Sequence, residues 1–307
     1  MEFTVVLQQV TVLFILIVIG FALKKFKIIT DELGKGLTGL IIYVTLPALL
    51  ITAMNYEFSK EILDNSLKIL LYGSFMYIFM ILVSVIFMKL FHAENPQKGV
   101  YQFLVIFPNV GFMGYPILLS VFGEIAVFYG AISNLLFNIL LWTLGIIFIS
   151  QEKDKKINFK MLINPGIISV LIGFSLFIFS IELPYVIYRP LELIGDTTTP
   201  LAMMLVGSLL GDAKFKEMLG NARLFIISII RLILIPLSLI FIFKFMNIPE
   251  MISSILIILS SMPAAANAAI FARKYDSDYR LASQGIFLTT LLSIGTIPLI
   301  IYAITNL

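Results

Sequence analysis

The chain has 307 residues, 60% of them hydrophobic and 13% charged, with a mean hydropathy of +1.05, a net charge of +3 and no cysteine. Soluble domains carry roughly 25% charged and 45–50% apolar residues, so this composition excludes a soluble enzyme, a nucleic-acid binder and a disordered chain. Without cysteine there is no disulfide framework, thiolate metal site or cysteine nucleophile. The first residues, MEFTVVLQQV, lack the basic region and small-residue cleavage site of a signal peptide, so the first apolar run is expected to remain as a membrane span.

A hydrocarbon core about 30 Å thick takes roughly 20 apolar residues per helix. Such runs fall near 4–23, 36–54, 66–90, 99–120, 125–149, 163–181, 190–211, 221–245, 250–272 and 280–304, which predicts ten spans. Stretches such as VLFILIVIGFAL are apolar on every side, whereas strands of a membrane barrel alternate. The expected class is therefore an all-α integral membrane protein.

In the second span, YVTLPALLITAM sets Pro47 in mid-helix, where a missing N–H and a ring clash produce a kink. The fourth span holds PNVGFMGYP, and Pro108, Asn109, Gly111, Gly114 and Pro116 together predict an unwound break over 108–116. Asn134 and Asn138 in the fifth span share a helix face and either line a cavity or join helices. Asp196, near the outer end of the seventh span and just before TTTP with Pro200, is a candidate charge or proton site, as is Glu124. Arg231 lies about ten residues into the eighth span, about 15 Å deep. It either supplies charge to an anionic substrate or pairs with a carboxylate or carbonyl as an anchor. The ninth span carries SSMPAAANAA, with Pro263 and Asn267 as a second break among small alanines. Ser283, Gln284, Thr289 and Thr290 in the tenth span take the same two readings as the asparagines. His92 falls on a loop, and one histidine without cysteine leaves no transition-metal site, so no cofactor or metal is expected.

Lysine and arginine distribute about sixteen to four between odd- and even-numbered connections. By the positive-inside rule both termini then face outward, and EKDKKINFK is a cytoplasmic loop between the halves. Five spans per half is an odd number, so a duplicated half inserts in the opposite direction, as in secondary carriers. Pro47 and Pro200 lie about 153 residues apart, and Pro108 and Pro263 repeat at nearly that offset, which supports a 5+5 inverted repeat. If the two breaks cross near the midplane, half-helix N-termini and the amides of Asn109 and Asn267 offer donors to an anion.

PNVGFMGYPILLSVFG, TLPALLITAM and MPAAANAAIFARKYDSD resemble the auxin efflux carrier family, which includes bacterial members and the plant PIN-type carriers, over nearly the whole chain. The resemblance implies a fold related to bile-acid symporters and sodium/proton antiporters, with ten helices and broken, crossing fourth and ninth helices. It implies scaffold segments 1–55 and 163–212, transport segments 56–150 and 213–307, a cytoplasmic loop 151–162, and a homodimer in the cell membrane. It places substrate carboxylate contacts on Asn109 and Asn267. The long hydrophilic loop of the larger plant carriers is absent, and bacterial relatives are associated with small acids such as malate or malonate. The expected activity is elevator-type transport of a small organic anion. A sodium- or proton-coupled symporter and a non-transporting sensor are the alternatives, and no enzyme, cofactor or nucleic-acid partner is expected.

Overall fold

The computed structural model describes residues 3–150, 164–211 and 221–306. The inter-half loop 151–162 and Lys153, Lys155, Lys156, Lys160, Lys214 and Lys216 lie outside the described residues. Among the described residues every regular element is a helix: α1 (Phe3–Lys25), α2 (Asp31–Thr52), α3 (Lys60–Leu90), α4 (Gln97–Ile106), α5 (Val110–Phe122) and α6 (Glu124–Ile149). There follow α7 (Pro165–Ile178), α8 (Tyr185–Gly211), α9 (Ala222–Phe245), α10 (Glu250–Ser261), α11 (Asn267–Lys274) and α12 (Tyr279–Asn306). Six of them, α2, α3, α6, α8, α9 and α12, are long and apolar enough to cross a membrane, and α5, α7 and α10 are shorter apolar helices. The fourth predicted run is divided into α4 and α5, and the ninth into α10 and α11.

Proline shapes the spans less abruptly than expected. Wide π turns occur at Ile41–Thr45, Val110–Gly114, Leu141–Gly145 and Ile230–Leu234. Three of these four run directly into Pro47, Pro116 or Pro236 at the second position of the next α turn. A proline ring crowds the carbonyl four residues back and offers it no N–H, so the preceding turn widens and the helix continues. In α8 the helix is interrupted for a single residue, Thr197, before the turn containing Pro200.

Five helices end alike without glycine. Lys27, His92, Ser180, Asn247 and Asp276 take positive φ between 47° and 60° just past α1, α3, α7, α9 and α11. In each case the next N–H reaches back five residues: Ile28 to Leu23, Ala93 to Met88, Ile181 to Leu176, Ile248 to Phe243 and Ser277 to Ala272. This closure satisfies terminal carbonyls, and in most cases an apolar residue follows the left-handed position, offsetting its backbone cost of roughly 1 kcal/mol.

The chain forms two compact units. The first comprises residues 1–69, 111–135 and 161–212. Its spine is α1 against the second half of α8, where Gly207 and Gly211 present a small-xxx-small face. A Cβ on Gly207 lies 1.9 Å from the Ile17 carbonyl oxygen and one on Gly20 lies 2.0 Å from that of Met204, so the two backbones touch. The first half of α8 and α7 pack on the end of α2. Phe58, Phe128, Phe174 and Phe177 form an aromatic cluster beside them, with Phe128 and Phe177 edge to face at 5.2 Å.

The second unit comprises residues 70–110, 136–160 and 213–307. In it α12 packs on α4, α9, α10 and α11, and α4 approaches the end of α6 closely enough that a Cβ on Gly99 lies 1.7 Å from the Phe148 oxygen. Phe103, Phe107, Phe137, Trp142 and Phe271 fill the space between these helices.

Two glycine substitutions distinguish backbone contact from ordinary surface. Gly207→Ala is expected to lower the thermal midpoint of the detergent-purified protein, at a cost of about 1–3 kcal/mol typical of overpacking. Gly36→Ala, with nothing within 4 Å of its Cβ, is expected to be neutral or stabilising by roughly 0.5–1 kcal/mol.

Candidate functional site

The second unit contains two helix ends that stop within the protein interior. Helix α4 stops at Ile106, after which Phe107 is extended (φ −101°, ψ 108°). Helix α10 stops at Ser261, after which Met262 is extended (φ −65°, ψ 149°). Non-helical backbone at membrane depth persists only where protein or a wet cavity satisfies its polar groups. Here the two breaks satisfy each other. Pro108 lies antiparallel to Ala264. The Asn109 N–H donates to the Pro263 carbonyl at 2.8 Å, and the Ala265 N–H to the Phe107 carbonyl at 2.9 Å. Pro108 and Pro263 have no N–H, so each break also has one donor fewer to satisfy.

Two side chains complete the crossing. Thr289 of α12, fully buried, accepts the Ala264 N–H at 3.1 Å and donates to the Gly285 carbonyl at 2.8 Å within its own helix. Arg231, on the π turn of α9 and likewise fully buried, donates from Nη1 to the Val105 carbonyl at 2.7 Å and from Nε to the Met262 carbonyl at 3.1 Å. Its Nη2 has no hydrogen-bond partner among the described residues. The buried Tyr77 of α3 is close enough to interact with the guanidinium electrostatically.

The remaining residues singled out from the sequence are distributed as follows. Pro108, Asn109, Pro263, Asn267 and Arg231 all belong to the second unit, and all but Arg231 lie on the breaks or the first helical position after them. Asn109 and Asn267 are half-buried, and the Asn267 amide makes no hydrogen bond among the described residues. Gly111, Gly114 and Pro116 belong to the first unit and to α5, because helix resumes at Val110 instead of after Pro116; the break is narrower than the expected 108–116. The reason is that glycine fits a π turn and Pro116 occupies a first-turn position where no N–H is needed. A Cβ on Gly111 meets open space. Asn134 and Asn138 lie one turn apart on α6, the first half-buried and the second buried. Asp196 and Glu124 are exposed, at the end of the first segment of α8 and the start of α6.

In the sequence Thr289 is one of four polar residues of the tenth span, and nothing distinguishes Tyr77 among the apolar residues of α3. The described residues also contain an open cleft of about 360 Å³ among His92, Glu94, Arg223 and Asp278, on loops and helix ends, sharing no residue with the crossing.

Comparison with known proteins identifies the family and several relatives. The family described as "Membrane transport protein" matches residues 5–301. An uncharacterized transporter of Methanocaldococcus jannaschii is 27% identical over 300 residues, covering 95% of this chain and 97% of its own length. An uncharacterized transporter of Methanothermobacter thermautotrophicus is 24% identical over 305 residues, covering 95% and 96%. A Rhizobium meliloti protein named "Putative malonate transporter" is 23% identical over 303 residues, covering 95% and 93%. Because the match reaches every described helix, including both arms of the crossing, the chain belongs to the membrane transport protein family, that of the auxin efflux carriers, and is a multi-pass membrane protein.

Proposed function

We propose that the protein is a secondary carrier that moves a small organic anion across the cell membrane by elevator-type alternating access. In this reading ten spans form a 5+5 inverted repeat with both termini outside. Residues 1–55 and 163–212 serve as scaffold, residues 56–150 and 213–307 as the moving part, and two copies assemble through the scaffold. A small dicarboxylate is the first substrate to test, since the name of one relative refers to malonate.

The observation that carries the reading is the pairing of the two broken helices at Pro108 and Ala264. Helices α5 and α11 both start at this crossing; the Val110, Ala268 and Ala269 N–H groups turn back onto Pro108, Ala265 and Ala266, and the helix starts keep the partial positive charge of their aligned dipoles. A carboxylate suits such a place, as helix N-termini bind anions with backbone donors and dipole together. Asn109, one residue before α5, and Asn267, the first residue of α11, add amide donors. Asn138 of α6, buried in the same unit as the crossing, is a further candidate for substrate contact. Exposed Asp196 and Glu124 stay outside the substrate site in this reading, though each remains a candidate for proton exchange at the surface.

Counterflow of radiolabelled malonate into liposomes loaded with unlabelled acid is expected to be saturable. Its absence across a panel of mono- and dicarboxylates, with the protein folded, would favour a sensor instead. Asn109→Ala and Asn267→Ala are each expected to reduce uptake roughly ten- to hundredfold, Asn267→Ala with a melting point near wild type, because a hydrogen bond to an ionised group contributes about 1.5–3 kcal/mol.

Orientation can be read chemically because the chain has no cysteine. A Glu57→Cys variant is expected to react with a membrane-impermeant maleimide applied to intact cells. Glu94→Cys is expected to react only after the cytoplasmic side is opened. The reverse pattern contradicts the outward placement of both termini.

A further inference from the structure

Two helix C-termini meet at the crossing, and their electrostatics are opposite to those of the N-termini proposed to face the anion. The last four carbonyls of a helix have no intrahelical donor, and together they behave as roughly half a negative charge. Val105 lies in the last turn of α4 and Met262 caps α10, so two such negative ends converge in a buried region. Water does not solvate them there, since both residues are fully buried. Converging carbonyls at this depth need donors, and a cation answers their partial negative charge as well.

We propose that Arg231 is that cation, built into the chain: its guanidinium occupies the carbonyl site between the ends of α4 and α10, so that closing the crossing requires no bound sodium or other coupling cation. Three observations carry this. One planar fork reaches both helices, through Nη1 to Val105 and Nε to Met262, a geometry for which guanidinium is better suited than a single ammonium point charge. The side chain is fully buried, and among the described residues no carboxylate pairs with it, so the carbonyl dipoles are its compensation. The π turn at Ile230–Leu234, imposed by Pro236, belongs to the helix turn that carries the arginine, which ties its position to the backbone of α9. The role differs from substrate binding: Arg231 acts through the backbone of the two broken helices as a positioning residue, and Asn109 and Asn267 contact the anion.

The structural claim stands on the crossing alone, whereas its consequence for coupling rests on the transport reading above. Purified wild-type protein is expected to have the same thermal midpoint in sodium, lithium, potassium and choline chloride at equal ionic strength, and the same rate of anion uptake with sodium or choline outside. Arg231→Ala is expected to melt earlier and to lose uptake by roughly tenfold or more. Guanidinium or methylguanidinium at millimolar concentration is expected to raise the midpoint of this variant and not that of wild type, with tetramethylammonium, which has no N–H, ineffective in both. If Arg231→Ala does not fold, Arg231→Lys decides. It keeps the charge, loses the fork, and is expected to melt below wild type while remaining indifferent to sodium. A sodium-dependent midpoint or uptake in wild type, a wild-type midpoint in Arg231→Ala, or equal effects of guanidinium and tetramethylammonium on that variant would each overturn the proposal. The thermal measurements contain no substrate, so they decide the role of Arg231 even where no anion is transported.

Discussion

The structure depends on one constraint: backbone N–H and C=O groups exposed by a broken helix in an apolar environment must find partners within the protein. Each unmet group costs about 1–3 kcal/mol, and two breaks that each stood alone would be prohibitive. Crossing the breaks solves the problem reciprocally. Phe107, Asn109, Pro263 and Ala265 exchange their backbone bonds as a minimal antiparallel pair, while Thr289 takes the Ala264 donor left between them. Small side chains are required at such a contact, and Ala264 and Ala265 supply them on one arm. Both alanines are buried beside the two bonds that pair four backbone groups.

The same economy of side-chain volume governs the first unit by a different route. There α1 meets the uninterrupted second half of α8, and what draws them together is van der Waals contact between backbones at Gly20 and Gly207, since lipid tails are as apolar as the side chains they would replace. One unit is thus organised around regular helices in unusually close contact, and the other around irregular backbone that has become its own partner. In both, glycine, alanine and proline set the geometry, while the phenylalanines fill the volume left over.

Much of this was legible in the sequence because the bilayer punishes exceptions. The apolar runs, Pro108 and Pro263 as breaks, and Arg231 as a buried cation each follow from the cost of an unsatisfied donor or an unsolvated charge. What could not be read is the identity of the partners. Val105 and Met262 enter through carbonyls, which every residue possesses, so nothing in their side chains marks them. Tyr77 looks like any aromatic in α3, and the extent of the fourth-span break was overestimated because a Gly-x-x-Gly spacing can be absorbed by a π turn. The five helix ends at Lys27, His92, Ser180, Asn247 and Asp276 were likewise hidden, since the residue expected there is glycine.

The crossing is also polarised. Helices α4 and α10 bring their negative ends to it and α5 and α11 their positive ends, so the two breaks carry opposite partial charges within a few residues of chain. With Arg231 bound to the negative ends, the fixed charge of the crossing becomes net positive without any mobile ion. If the proposed carboxylate binds there, it neutralises the arrangement, which lowers the cost of carrying it through a medium where an isolated charge is penalised by several kcal/mol. In such a carrier a neutral loaded form would cross almost independently of membrane voltage, and the return of the positive empty form would carry the charge. Each positive charge moved across the full potential changes the free energy by about 2.3 kcal/mol per 100 mV. In a cell that is negative inside, the empty carrier is drawn inward. On the carrier reading proposed above, that direction favours reloading from the cytoplasm and hence export of the anion, with the arginine in place of a coupling ion.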